Sequence, residues 1–153
     1  MKFLVLSDSH GSINNMLNTV DYEAPDVILH LGDYMSDCDS MIKMYPQILL
    51  RSVRGNSDGR FPGLDVDEFV MEGKRFMLTH GHLFGVKMGK SKIINAAKDR
   101  SIDILLFGHT HSQYHSTDGN ITILNPGSIH ASTREYAVLE IKNGIIEHEF
   151  KRV

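Results

Sequence analysis

Apolar residues along this chain fall into short, bounded runs separated by polar loops. Lys2 to Leu6, Val27 to Leu31 and Ile102 to Phe107 are compact and largely β-branched or leucine-rich, as buried strands are. Ile48 to Leu50 with Ser52-Val53 predicts a further strand. Between the first two runs Ser12 can cap a helix reaching about Val20, with Ile13, Met16, Leu17 and Val20 on one face. A short helix is expected from Asp37 to Tyr45, stopped by Pro46, and a longer one from about Val86 to Arg100 with Val86, Ile93, Ile94 and Ala97 as its stripe. Glu68–Met71 and Arg75–Thr79 face each other across Glu72-Gly73-Lys74 as a hairpin. Gln113–Ser116 and Ile121–Leu124 flank a turn at Asp118-Gly119-Asn120. Residues 136–141 and 145–150 close a last hairpin on Asn143-Gly144, a strong two-residue turn. Strands alternating with helices give an α/β class.

The polar stretches that follow these strands repeat one theme. Asp8 and His10 follow the first, Asp33 the second, Asn56 the third, His80 and His82 the hairpin, and His109 and His111 the run ending at Phe107. Residues at i and i+2 of an extended segment point the same way, so His109 and His111 are presented together. Ends of strands are where open α/β sheets place ligands. Singly, each residue has a plain structural reading: Asp8 and Asp33 as helix caps, Asn56 as a turn residue, the histidines as surface groups. Jointly, in this order and all at strand exits, they define a site. Imidazole with carboxylate and no thiolate suits first-row ions such as manganese, iron, nickel, cobalt or zinc and argues against a structural zinc site. Seven ligand-type side chains exceed one tetrahedral ion and suit two ions sharing a carboxylate. Two divalent ions against Asp8 and Asp33 leave about +2, enough to draw a phosphate anion to an acidic protein.

The totals narrow the classes. With 153 residues the chain is the size of one domain, so a single domain over residues 1–153 is expected. A net charge of −3 with both signs interspersed leaves no basic face for a nucleic-acid backbone. The lone Cys38 excludes an internal disulfide, no apolar run approaches a membrane span, and the N-terminal apolar core is too short for a signal peptide, so a soluble cytoplasmic protein is expected.

In the order Asp-x-His, Gly-Asp, Gly-Asn-x-Asp, His and Gly-His-x-His, over residues 4 to about 128, the sequence resembles the calcineurin-like metallophosphoesterases. It looks most like their small YfcE-type phosphodiesterases, a group that also includes the retromer scaffold subunit of eukaryotes. The resemblance implies two packed β-sheets (a β-sandwich) flanked by α-helices, with the metals at the strand ends. It implies that Asp8, His10 and His111 hold one ion, that Asn56, His80 and His109 hold the other, and that Asp33 bridges them. Manganese is the ion expected first, with nickel, iron, cobalt or zinc as alternatives. The implied reaction is hydrolysis of a phosphodiester by a hydroxide shared between the ions. Larger members carry a histidine where this chain has Ser57, so Asp58, His82 or a water must protonate the leaving group, or good substrates need little protonation. The partner is a small phosphodiester, with nucleic-acid ends open as substrates; edge strands could pair in a homodimer. The rival reading is a catalytically silent scaffold of the same fold. His30, His115, His130 and His148 match no motif position and read as ordinary strand or surface residues.

Overall fold

The computed structural model describes residues 1–153. Ten strands and three helices follow in the order β1 (Lys2–Leu6), α1 (Ile13–Glu23), β2 (Val27–His30), α2 (Met35–Met44), β3 (Leu49–Ser52), β4 (Val66–Met71), β5 (Lys74–Thr79), α3 (Ser91–Asp99), β6 (Ile104–Phe107), β7 (Gln113–Asp118), β8 (Ile121–Pro126), β9 (Glu135–Lys142) and β10 (Ile145–Arg152). One sheet runs β10-β9-β1-β2-β3 and the other β4-β5-β6-β8-β7. In the first sheet β1, β2 and β3 pair parallel and β10, β9 and β1 antiparallel; in the second β5, β6 and β8 pair parallel, flanked by the antiparallel pairs β4–β5 and β8–β7. This is the α/β sandwich flanked by helices that the resemblance implies.

Alternation along the central strands explains the layering. Phe3, Val5, Leu29 and Leu31 point to the second sheet and meet Phe76, Leu78, Ile104 and Leu106 in one inter-sheet core. The intervening Leu4, Leu6 and Ile28 point outward and are covered by Met16 and Val20 of α1 and Met41 of α2. Met77, Leu105 and Phe107 on the other sheet are covered by Ile93 and Ala97 of α3. Both faces of the central strands are therefore buried, which is why they read as continuous apolar runs.

Two expectations needed correction. The helix expected from Val86 begins only at Ser91, because a 3-10 turn at His82–Phe84 and left-handed backbone at Gly85 and Gly89 occupy the segment before it. Val86 is still buried against this core, from a turn rather than from the helix. The first helix continues past Val20 to Glu23 and ends on left-handed Ala24 just before Pro25. The final hairpin turns on Asn143 and Gly144, both at positive φ (53° and 78°), as the Asn-Gly pair demands. No helix is long and apolar enough to cross a membrane.

Candidate metal centre

The parallel strands of both sheets discharge at one end of the sandwich, and their exits bring the expected residues together. Asp8 and His10 leave β1, Asp33 follows β2, Asn56 follows β3, His80 follows β5, and His109 and His111 follow β6. Five of these seven have a left-handed backbone: Asp8, His10, Asp33, His109 and His111, with φ between 44° and 68°. Aspartate and histidine tolerate that region better than most residues, and strain of this kind gathers at functional sites.

Two donor groups form around one carboxylate. Asp8, His10 and His111 offer atoms that all lie within 4.8 Å of one another, and so do Asp8, Asp33 and His80. His111 Nε2 lies 3.0 Å from Asp8 Oδ1. His80 Nε2 lies 3.1 Å from both Asn56 Oδ1 and His109 Nδ1. Asp33 stands between the groups, with Oδ2 at 3.7 Å from His10 Nε2 and Oδ1 at 3.5 Å from His80 Nε2.

The chemistry of this donor set fits a cation. His80 Nδ1 donates to the Leu31 carbonyl at 2.7 Å, which turns Nε2 toward the oxygens of Asp8 and Asp33. His10 Nε2 is buried with no hydrogen-bond partner, and buried Asp8 Oδ1 faces only the His111 ring at 3.0 Å. Buried polar atoms are nearly always paired, and lone pairs facing one another without an intervening proton repel. Burial, then the neighbouring His80 and Lys87, holds His109 down to about 4, so its ring is a neutral donor at physiological pH. Burial opposes ionisation of Asp8, but His111, His80 and Ser7 together outweigh it and leave its carboxyl below the usual range.

Residues that no motif marked hold these side chains in place. Ser57 donates its backbone N–H to Asp33 Oδ1 (2.9 Å) and its hydroxyl to Oδ2 (3.0 Å). Ser7 Oγ donates to Asp8 Oδ2 (2.6 Å), as does the His109 N–H (3.1 Å). Asn125 donates to the Gly108 carbonyl (2.8 Å), and Ser128 Oγ to the Asp8 carbonyl (2.9 Å). A Cβ at Gly55 would overlap Asp33 Oδ1, and one at Gly108 would overlap Ser7 Oγ, so both glycines are required by close packing. The only advance signal of this layer was a serine or asparagine beside each motif.

Other candidates are redistributed. Asp58, offered as a leaving-group acid, is held by backbone donors: Gly55 N–H (2.7 Å) and Asp33 N–H (3.0 Å) on Oδ2, and Met35 N–H (2.7 Å) on Oδ1. It organises the loops after β2 and β3, with three of its four lone-pair sites taken by backbone donors. His82 does line the site, its ring 5.4 Å from His80 and 6.1 Å from His109, with a buried, unpartnered Nδ1. Arg54 is engaged by Asp65 at 2.7 Å and by the Phe61 carbonyl, and closes the loop that precedes β4. His115 and His148 stack on each other between the edge strands β7 and β10, 4.0 Å apart. His30 is a strand residue, fully buried on β2, and His130 lies in a loop beside His10.

The fold and this constellation define a metallophosphoesterase-type α/β sandwich. The sequence profile of the calcineurin-like phosphoesterase superfamily domain matches residues 1–144, and the chain belongs to that family. It is 34% identical over 131 residues to a probable metallophosphoesterase of Mycoplasma pneumoniae, covering 84% of this chain and 79% of that protein. It is 25% identical over 155 residues to the phosphodiesterase YfcE of Escherichia coli, covering 84% of this chain and 79% of that protein. A solved structure from Streptococcus pneumoniae TIGR4, described as a predicted phosphoesterase, superposes with a TM-score of 0.83 at 29% identity and covers 99% of this chain and 88% of that one.

Proposed function

We propose that this phosphoesterase is a phosphodiesterase that works with two divalent cations, manganese first among them. Asp8, His10 and His111 would hold one, Asn56, His80 and His109 the other, and Asp33 would bridge. The observation that carries this reading is the placement of Asp33, whose two oxygens face His10 on one side and His80 on the other. When bound, such a pair of ions supplies an activated water and neutralises charge on the phosphoryl group.

The chain's own residues do the positioning. Ser57 clamps both oxygens of Asp33, so its hydroxyl is committed to that carboxylate and is not free for the leaving group. His80 is fixed in ring orientation by the Leu31 carbonyl, the kind of outer partner that sets a ligand's tautomer. With Asp58 held by backbone donors, His82 is the remaining titratable candidate beside the reacting group. Burial and then His80 hold its pKa below the ordinary histidine value, so near neutral pH it has little proton to give and a water or a good leaving group must serve instead. Diesters with good leaving groups match a site of this composition. A donor set complete at all seven positions favours an enzyme over the silent scaffold.

The test is turnover of bis-p-nitrophenyl phosphate and p-nitrophenyl phosphate by the purified chain with manganese, nickel, cobalt or zinc added. Expected are cleavage of the diester in preference to the monoester, strict dependence on added metal and abolition by chelation. A metal-loaded protein that is inert across a broad phosphoester panel would hand the decision to the scaffold.

A further inference from the structure

One histidine at the rim has no part in the ligand set. His130 follows β8 in the loop Ser128–Arg134 and is half-buried. Its ring meets His10 edge-on, centroids 6.0 Å apart and planes at 77°. Tyr34, 43% exposed, packs against the same His10 ring at 5.1 Å. The rim beside His10 therefore carries two aromatic side chains from separate loops.

The loop is built to hold His130 in register with Asp8. Ser128 Oγ donates to the Asp8 carbonyl and accepts the His130 N–H at 3.2 Å, so one hydroxyl ties both backbones. The Ala131 N–H donates to Ser12 Oγ (3.0 Å), and Thr133 Oγ1 donates to the Ser128 carbonyl (2.7 Å). The ring is oriented as well as anchored. His130 Nδ1 accepts the Ser132 N–H at 3.3 Å, with Ser132 Oγ at 3.0 Å, so the hydrogen of the neutral ring sits on Nε2. That Nε2 has no protein partner. A preorganised N–H donor at the edge of a reaction site, free of any internal acceptor, is a recognition group waiting for a ligand oxygen.

We propose that His130 is a specificity-determining residue. Its Nε2–H donates to an oxygen on the alcohol portion of a phosphodiester bound on the His10 side, with the Tyr34 ring offering an apolar surface beside it. The enzyme then favours diesters whose second alcohol carries oxygen acceptors, as a sugar does, over diesters of simple phenols. This inference rests on the phosphodiesterase reading above and adds the class of alcohol to it.

The test compares the p-nitrophenyl ester of thymidine 5′-monophosphate with phenyl p-nitrophenyl phosphate, using manganese-loaded full chain as wild type, His130→Ala and His130→Gln. Loss of one neutral hydrogen bond corresponds to roughly a fivefold effect. Expected is a KM for the nucleoside diester about fivefold higher in His130→Ala with kcat unchanged. Both constants for the bis-aryl diester should hold, and His130→Gln, which keeps a donor, should recover most of the loss. A second readout is the imidazole nitrogen spectrum of zinc-loaded protein, in which thymidine 5′-monophosphate should shift the His130 signal. Equal losses on both substrates, no loss on either, or an unmoved His130 signal would overturn the proposal while leaving the phosphodiesterase reading intact. Wild type inert on both diesters would instead sink that reading, and this one with it.

Discussion

Acid should cost the metal-free protein a specific and separable amount of stability through His30. This side chain is fully buried on β2, and its Nε2 has no partner. Burial pushes its pKa down from 6.5 to about 4, against the pull of Asp8, Asp37 and Asp58. The folded value lies below the unfolded one, so the unfolded chain takes up the proton first. The stability this neutral ring retains at pH 7 is lost as pH falls through 6.5, and the loss levels off below the folded value near 4. The gap from 6.5 to about 4 corresponds to about 3 kcal/mol. That is a large share of the roughly 5–15 kcal/mol that holds an ordinary domain together. Replacing His30 by leucine removes the titration while filling the same apolar position. Urea unfolding of chelated wild type and His30→Leu, followed by circular dichroism at several pH values between 7 and 4, isolates the effect, because every other carboxylate and histidine contributes alike to both proteins. Wild type should lose about 3 kcal/mol more than the variant over that interval. Parallel stability curves would show that His30 is not held neutral by its surroundings, and the reasoning would fail.

Two further substitutions probe the loops and the frame. Gly55→Ala should displace the Asp33 carboxylate, since the new methyl overlaps its Oδ1. We expect a 10–100-fold loss of metal affinity, the scale of losing support around a ligand, read by isothermal titration with zinc or manganese; unchanged affinity would show that Asp33 is not positioned through this contact. Glu23→Ala strips a buried carboxylate from Lys2 (2.7 Å), Lys151 (3.0 Å) and the Tyr136 hydroxyl (2.8 Å), which tie α1 to strands from both ends of the chain. Because both lysines are partly solvated, the cost should sit at the low end for a broken buried pair, roughly 3 kcal/mol by denaturant unfolding at pH 7, and a change under 1 kcal/mol would be too small for the role assigned.

The sequence carried the strands, two of the hairpins almost residue for residue and the placement of the seven motif residues at strand exits, because each of these is a local pattern. A run such as Ile104–Phe107 is apolar on both faces since a sheet neighbour and a helix cover it, and a glycine then a histidine mark where that cover stops. Less legible was whatever depends on which exits become neighbours in space. Nothing in the local order says that Ser57 clamps Asp33 or that Ser128, 120 residues away, holds the Asp8 carbonyl. The role of Asp58 was open for the same reason: beside Ser57 its carboxylate can serve the leaving group or orient a neighbour, and its three backbone donors show only once the loops meet. The α3 boundary failed differently, since Val86 keeps the helical spacing of the apolar stripe while Gly85 and Gly89 withdraw the backbone from it.

The division between frame and site has a physical logic. Alternating strands spend their side chains on two apolar layers and have none left for chemistry until the strand stops. At that point the chain must reverse direction over the sheet edge, and a left-handed residue makes the reversal in a single step. Placing aspartate or histidine at that step, as at Asp8, Asp33, His109 and His111, puts the functional side chain at the pivot itself rather than on a mobile loop beyond it. The backbone N–H groups exposed by the reversal then meet carboxylates: Ser57 N–H on Asp33, His109 N–H on Asp8. The strain of the turn and the rigidity of the site thus share one origin, and the crowding of Asp8, His10 and His111 is sustained by a frame whose central strands are almost wholly removed from solvent.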